Sequence, residues 1–205
     1  MTFQRWIPWL LSPSALLSGR AAKEEGSPIL RTRPSIELSG REPVRDATVC
    51  ILVRGDPPDE VLLGLKKKGF AAGKVNGIGG KVETGETVLE AAVRELEEET
   101  GVKATATDLQ AVGHLTFLFR AKPEWNQTVH AFLVETWAGD PEESREMAPA
   151  WYAVGRIPFE RMWQDNAHWL PRVLAGEQVR ARYTYGADNE TIELVEIEPW
   201  DTTPN

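Results

Sequence analysis

The chain has 205 residues, 41% of them hydrophobic and 26% charged, and its formal net charge is −8. This composition is typical of a globular domain and excludes a disordered chain. The acidic balance argues against binding to nucleic acid through a broad positive field, so local lysines, backbone amides or a metal must hold any phosphate. The single cysteine, Cys50, excludes an internal disulfide and a cysteine-based zinc cage.

Residues 1–44 differ from the rest of the chain because they are rich in proline and serine and lack a sustained hydrophobic period. Their apolar, basic start weakly resembles a targeting segment, but Pro8 and Pro13 interrupt it, and no apolar run approaches the ~20 residues that span a bilayer. We predict a poorly ordered extension on a cytoplasmic protein. The competing hypothesis is that translation starts near Val44, and the intact mass of the native protein distinguishes the two.

The predicted elements begin at Ala47, and residues 45–200 are predicted to form one domain. Short β-rich runs bounded by turn residues predict strands, and a 3.6-residue hydrophobic period predicts helices. In chain order these are strands at 47–55 and 60–66, a glycine-rich loop at 69–85, a helix at 86–100, strands at 114–120, 128–137 and 149–154, short helices at 159–163 and 165–176, and a hairpin at 179–198. The class is α/β (α+β), with a mixed sheet around one central and one terminal helix.

The central helix at 86–100 has two chemically distinct faces. Val88, Ala92 and Leu96 are spaced by four and form the predicted buried stripe. Gly101 follows the last periodic residue, where a C-terminal cap belongs. The glutamates in the second half of the helix lie off this stripe and need a separate explanation.

Glu95, Glu98 and Glu99 are spaced i, i+3 and i+4, so they share one side of the helix. Like charges this close repel, and the neighbouring Arg94 supplies only one positive charge. A hard divalent cation bound by the carboxylate oxygens resolves the repulsion, with Mg²⁺ as the default and Mn²⁺ also suitable. The alternative is a solvated acidic face, but the six glycines at 69–85 favour a ligand site because they let the backbone approach a ligand closely.

The spacing around this helix matches a known signature. From Gly80, five residues lead to Glu86, seven more lead to Arg94, and the chain continues as "RELEEETGV". This is the Nudix pattern G-x5-E-x7-R-E-U-x-E-E-x-G-U, in which U is a bulky aliphatic residue. All nine defined positions are present over 23 residues. The chain therefore resembles the Nudix hydrolases.

The resemblance implies an α/β/α sandwich with a mixed β-sheet and a catalytic loop–helix–loop, and hydrolysis of a nucleoside diphosphate linked to another group. The implied metal ligands are Gly79 through its carbonyl, Glu95, Glu98 and Glu99, with Glu146 as a further candidate. Arg94 and Glu86 would pair and hold the loop, and Gly80 and Lys81 would belong to the substrate site. The metal would lower the pKa of the attacking water. Which carboxylate accepts the proton of that water stays open.

The similarity extends beyond the signature, over residues 47–198, to the MutT-homologue branch of the family, the oxidised purine nucleoside triphosphatases. It rests on "VLLGLKKKGFAAGKVNGIGGKVETGET" and "EMAPAWYAVGRIPFERMWQDNAHWLP". It implies a base pocket built from an asparagine, several aromatic residues and a polar pair that follows a tryptophan. The matching positions are Thr48, Lys66, Phe70, Asn76, Phe117, Met147, Trp163, Asp165 and Asn166.

The chain departs from this pattern at "WQDN", where Gln164 replaces a proline and Asn166 replaces a second aspartate. An amide offers a donor where a protonated acid would, but it cannot change charge. The segment "KPEWNQTVH" is also rewritten, and it puts Trp125 and Asn126 at the predicted pocket rim. Stacking of Trp163 on a purine is the hypothesis, and core packing is the alternative.

The resemblance implies a monomeric, metal-dependent pyrophosphohydrolase of nucleotide-pool sanitation and DNA repair. Its substrates would be oxidised purine nucleoside triphosphates such as 8-oxo-dGTP or 2-hydroxy-dATP, cleaved to monophosphate and pyrophosphate, with neither nucleic acid nor membrane as a partner. The first alternative is another nucleoside diphosphate derivative, such as a general nucleoside triphosphate, ADP-ribose or a dinucleoside polyphosphate. The second is a non-catalytic nucleotide-binding module, which would be expected to lose signature carboxylates, whereas this chain keeps them all.

Overall fold

The computed structural model describes residues 44–200. The predicted N-terminal extension lies outside the described residues, apart from Val44. Within the described range, no helix is long and apolar enough to cross a bilayer.

Eight strands and two α-helices make up the described chain. Strands β1 to β8 span Arg45–Arg54, Glu60–Lys66, Val75–Asn76, Leu109–Phe119, Gln127–Val134, Met147–Ala153, Val179–Tyr185 and Ile192–Glu198, and helices α1 and α2 span Val88–Thr100 and Asn166–Leu174. All strands join one sheet in the order β3-β2-β1-β5-β4-β7-β8, with β6 paired to β2. The β1–β5 and β4–β7 pairs are parallel and the others are antiparallel, so the sheet is mixed.

The two faces of the sheet bury separate hydrophobic clusters, and β1 shows why. Side chains alternate along a strand, so Ile51 and Val53 enter one cluster while Cys50 and Leu52 enter the other. Helix α2 covers the first face and helix α1 covers the second. The predicted α/β/α arrangement with a mixed sheet is confirmed.

Helix α1 begins at Val88, two residues later than predicted. Thr87 is its N-cap, and a capping box forms because the Thr87 side chain accepts from the Glu90 backbone N–H while the Glu90 carboxylate accepts from the Thr87 N–H. Glu86 therefore lies outside the helix, where its side chain is free to reach Arg94. Gly101 ends the helix in the left-handed conformation, with φ of 73°, as the sequence predicted.

Other boundaries differ where tertiary pairing extends an element beyond its local signal. Strand β4 begins at Leu109 rather than 114, because its first residues pair with β5. The helix predicted at 159–163 is a single 3₁₀ turn, Phe159–Arg161. Part of the predicted glycine-rich loop is strand β3 and pairs with β2. The hairpin at 179–198 is confirmed as β7 and β8.

The capping box makes a testable contribution to stability. Replacing Thr87 with alanine removes the acceptor for one helix N–H, so we expect the free energy of unfolding to fall by about 1 kcal/mol. Urea denaturation followed by far-ultraviolet circular dichroism measures this change. Thr84→Ala, at an exposed threonine of the same loop, is the matched control and should leave the midpoint unchanged. Equal midpoints for both variants would contradict the capping role.

Candidate active site

Residues 75–82 thread between β1 and β2 and bring the glycine loop into the sheet. On one side, Asn76 and Val75 pair with Gly64 and Leu65 of β2. On the other side the segment bonds to β1, where the backbone N–H groups of Thr48 and Cys50 donate to the carbonyls of Gly80 and Ile78, at 2.7 and 2.6 Å.

Such close threading requires glycine. A Cβ atom on Gly79 would collide with the backbone oxygen of Thr48, and one on Gly80 would collide with the carboxylate of Glu95. The carbonyls on either side of Gly79 are engaged with β1, whereas its own carbonyl lies outside this ladder. The glycine pair therefore carries the loop backbone directly against the start of the carboxylate cluster.

Arg94 is the hub of the carboxylate cluster. Its guanidinium donates to Glu86 at 2.7 and 3.1 Å, to Glu95 at 3.0 Å and to Glu98 at 3.1 Å, and it also donates to the backbone oxygen of Lys81 at 3.1 Å. The hydrogen bonds to Glu86 raise the pKa of Arg94 above its usual value. One side chain thus connects the loop to the helix, and Arg94 and Glu86 are paired in the structure.

Lys66, on β2, is a second cation in the cluster. Its ammonium lies 2.5 Å from Glu99 Oε1 and 3.6 Å from Glu146 Oε2. Glu99 is only 3% exposed, and its other oxygen accepts from the Gly79 N–H at 3.0 Å. Burial lowers the pKa of Lys66, but its hydrogen bond and charge interactions with Glu99 outweigh this effect and raise it. The sequence pointed to Lys66 only as a pocket residue and missed its partner.

If the three helix carboxylates lay on one exposed face, all of them would be exposed to solvent to the same extent. Their exposure differs instead. Glu99 is buried, whereas the Glu98 side chain is 62% exposed. Burial and the charges of Glu99 and Glu98 raise the pKa of Glu95, and Arg94 opposes them. Within residues 44–200, no three His, Cys, Asp or Glu side chains are grouped closely enough to cage a metal ion.

The composition of the cluster nevertheless fits a hard divalent cation. Two cations, Arg94 and Lys66, face five carboxylates, those of Glu86, Glu95, Glu98, Glu99 and Glu146, which leaves 2 − 5 = −3. All the candidate donors are oxygen atoms, the donor type that Mg²⁺ and Mn²⁺ prefer. An excess of negative charge beside a glycine-rich backbone provides what such an ion needs.

A cleft of about 420 Å³ opens beside this cluster, a size that suits a small-molecule ligand. Every residue that the sequence predicted for substrate binding lines it: Thr48, Lys66, Phe70, Asn76, Gly80, Lys81, Phe117, Met147, Trp163, Asp165 and Asn166. Gly79, Glu95 and Glu146 also line it, so the cleft reaches from the aromatic residues to the carboxylates. Glu86, Arg94, Glu98 and Glu99 do not belong to this lining.

Strands β4 and β7 build one aromatic wall of the cleft. Their parallel register sets Phe117 against Tyr183 and Phe119 against Tyr185, with ring centroids 5.5 and 4.6 Å apart and the rings nearly parallel. Phe119 and Tyr185 line the cleft as well as Phe117, but the sequence analysis identified only Phe117. The two-residue alternation of β4 was the signal that could have identified Phe119.

Trp163 lines the cleft next to this aromatic wall. Its ring is nearly parallel to that of Phe70, with centroids 5.7 Å apart, and it meets Phe119 and Tyr185 edge-on at 5.9 and 5.7 Å. Trp163 therefore packs against the core and lines the cleft at once, and its stacking on a purine stays a prediction.

Asp165 is fully engaged by the protein itself. The Tyr185 hydroxyl donates to one carboxylate oxygen at 2.6 Å and the Trp169 indole donates to the other at 2.9 Å. Burial raises the pKa of Asp165, and these two donors oppose the rise. The side-chain amide of Asn166 points back to the Trp163 carbonyl and to Asp165, at 3.3 and 3.4 Å. The sequence analysis missed both Tyr185 and Trp169.

The segment 122–130, which departs from the family pattern, supports the rim of the cleft from outside. Asn126 is buried, and its side-chain oxygen accepts from the Phe119 backbone N–H at 2.8 Å. Trp125 packs edge-on against Phe70 with centroids 5.2 Å apart. Neither belongs to the lining, where Gln127 stands instead. The prediction that Trp125 and Asn126 form the rim is therefore corrected to a supporting position behind it.

Comparisons with known proteins agree with this geometry. The family model for the NUDIX domain matches residues 43–173. The oxidized purine nucleoside triphosphate hydrolases of Danio rerio and Mus musculus are each 42% identical to the chain, over 69% and 66% of it and 90% and 84% of their own lengths. The crystal structure of a mutator MutT protein from Bacillus halodurans superposes with a TM-score of 0.65 at 23% identity, over 76% of this chain and 100% of that one, and shows the shared fold. The chain belongs to the Nudix family of hydrolases.

Proposed function

We propose that this Nudix hydrolase cleaves oxidised purine nucleoside triphosphates, such as 8-oxo-dGTP or 2-hydroxy-dATP, to the monophosphate and pyrophosphate, and so removes damaged nucleotides before they enter DNA. The observation that carries the proposal is the continuity of one cleft, which is aromatic at one end and glycine- and carboxylate-lined at the other. A purine with its phosphate chain has the same two-part character. The names of the Danio rerio and Mus musculus relatives support the same substrate class.

In this proposal the aromatic end holds the base. Trp163 and Phe70 offer faces for stacking, which contributes roughly 1–3 kcal/mol per base in nucleotide-binding proteins. Asn76 and Asn166 are uncharged polar residues of the cleft lining. The Asn76 amide can donate to and accept from the base edge, whereas Asn166 offers its side-chain oxygen as an acceptor, because its amide nitrogen already donates within the protein. Asp165 does not contact the base in this proposal, because both of its oxygens already accept hydrogen bonds from the protein. It acts indirectly, by fixing the segment that carries Trp163 and Asn166.

The glycine and carboxylate end holds the phosphates and the metal, which we propose to be Mg²⁺. Its ligands would come from Glu95, Glu98, Glu99 and Glu146 and from the unbridged carbonyl of Gly79. When bound, the ion neutralises phosphate oxygens and acidifies a water nucleophile. The protein contributes position: Arg94 fixes Glu95 and Glu98 relative to the loop, and Lys66 fixes Glu99. Lys81 lies at the mouth of the cleft with an exposed side chain that would meet the phosphate chain.

A substrate panel tests the assignment. Hydrolysis with Mg²⁺ is compared by kcat/KM, measured as pyrophosphate release from 8-oxo-dGTP, 2-hydroxy-dATP, dGTP and dATP and as AMP formation from ADP-ribose. We expect a preference for the oxidised purines of about tenfold or more, because a buried polar group left unpaired by the wrong base costs about 1–3 kcal/mol. Equal turnover of dGTP and 8-oxo-dGTP, or a preference for ADP-ribose, would contradict the proposed base selectivity and leave a Nudix hydrolase of other specificity.

The metal assignment makes a second prediction. Glu98→Gln removes one carboxylate charge from a largely exposed position, so we expect kcat to fall by at least about a hundredfold while the thermal midpoint stays unchanged. Glu97→Gln is the matched control, since Glu97 is an exposed neighbour that pairs with Lys103 and not with Arg94. Undiminished turnover in Glu98→Gln would remove Glu98 from the proposed metal site.

The glycine backbone makes a third prediction. In Gly80→Ala the added methyl group would displace the carboxylate of Glu95, and we expect kcat/KM to fall by about 10- to 100-fold, since small displacements of metal ligands are costly. Gly155→Ala is the control, because a Cβ atom there meets nothing within 4 Å and the residue lies outside the cleft. Equal activity of the two variants would contradict the requirement for close backbone approach at Gly80.

A further inference from the structure

Trp163 has a contact outside the cleft that the proposed chemistry does not use. The ammonium of Lys74 lies over its indole ring, 4.4 Å from the ring centroid. Lys74 is not part of the cleft lining, so its charge acts on Trp163 from outside. A cation over an indole face is attracted by the negative potential of the ring, and this attraction depends on where the cation is held.

Glu190 holds that cation in place. The Lys74 ammonium also lies 2.8 Å from Glu190 Oε2, and the two residues are 116 positions apart in the chain. Lys74 ends the loop that carries Phe70, whereas Glu190 lies in the turn between β7 and β8. The ion pair therefore connects the two sides of the base end of the cleft.

The β7–β8 turn is built to present Glu190 in a fixed position. The Asp188 carboxylate accepts from the backbone N–H groups of Glu190 and Thr191, both at 2.9 Å, and from the Thr191 hydroxyl at 2.6 Å. These hydrogen bonds lower the pKa of Asp188 to about 2, so the carboxylate that organises the turn stays charged at neutral pH.

A second connection joins the same hairpin to the residue after Trp163. The side-chain oxygen of Gln164 accepts from the backbone N–H of Ile192 at 2.9 Å. The pairing register of β7 and β8 shifts at this point, between Thr184 and Tyr185. The Gln164 side chain therefore accepts a hydrogen bond from a backbone N–H beside an irregularity in the strand pairing. A proline at position 164 has no side-chain acceptor and could not make this bond.

We propose that Lys74 and Glu190 are positioning residues for Trp163, and that the β7–β8 turn sets the orientation in which this ring stacks on the substrate base. This inference rests on the proposed function. Glu190 acts only through Lys74, because it reaches the ammonium and not the ring. Gln164 keeps the turn in register with the Trp163 segment. The ion pair thereby makes base affinity depend on a turn that touches no substrate.

The test measures the binding of 8-oxo-dGMP to the full chain by calorimetry without metal, together with kcat and KM for 8-oxo-dGTP. We expect Lys74→Met and Glu190→Gln each to raise Kd and KM by about three- to tenfold and to leave kcat unchanged, because an exposed ion pair and a cation–π contact are each modest. Lys74→Arg should retain wild-type affinity, since arginine makes both contacts. The double variant should match Lys74→Met alone, since Glu190 has no effect without the ammonium.

Two controls separate positioning from stability and from the function itself. Glu193 lies on the same hairpin as Glu190 and is 2.8 Å from Arg120. Glu193→Gln breaks this pair and should leave Kd unchanged. In protein labelled with 5-fluorotryptophan, the ¹⁹F resonance of Trp163, assigned with Trp163→Phe, should shift in Lys74→Met and Glu190→Gln without any nucleotide.

The proposal would be overturned if Kd were unchanged in Lys74→Met. It would also be overturned if the increase in Kd of the double variant equalled the product of the increases in the two single variants. If the wild-type chain bound no purine nucleotide, the proposed function would fall and the stacking role with it. An unshifted ¹⁹F resonance would by itself contradict the positioning of the ring, whatever the substrate.

Discussion

The site depends on one constraint, the insertion of residues 75–82 between strands β1 and β2. Hydrogen bonds to both strands hold this segment, and only glycine fits where Gly79 and Gly80 pass Thr48 and Glu95. The insertion separates two strands that pair only at their other ends, and the cleft opens beside it. It also brings the loop backbone against helix α1, so the carboxylate cluster and the cleft arise from the same packing event.

Charge balance explains how so acidic a helix remains folded. Arg94 and Lys66 each neutralise a different part of the cluster: Arg94 takes the carboxylates nearest the loop, and Lys66 takes the buried Glu99. The remaining negative charge fits a divalent ion, as expected for a Nudix hydrolase. The cluster is thus held in shape by two cations of the protein and completed by the cation that the proposed chemistry uses.

The aromatic end of the cleft is organised differently, by aromatic stacking and by a buried acid that is bonded within the protein. Phe119 and Tyr185 are in register on parallel strands, and Tyr185 then reaches Asp165. Asp165 in turn fixes the loop that carries Trp163 through Trp169 of helix α2. The proposed Lys74–Glu190 contact adds a surface element to this set and would allow base affinity to change without altering the residues that carry out hydrolysis.

The sequence by itself determined the family, the helix with its glycine cap and the alternating strands, because each rests on local spacing or on a residue type that a backbone conformation demands. The predicted substrate-binding positions came instead from the resemblance to the MutT-homologue branch, and the structure brings them into one cleft. It could not determine the first residue of helix α1, since Glu86, which suits a helix, lies before it and bonds to Arg94 instead. Only the tertiary structure decided that Lys66 pairs with Glu99 and that Tyr185 bonds to Asp165, 33 and 20 residues apart in the chain. Such partners are chosen by the order and register of strands, which no local period records.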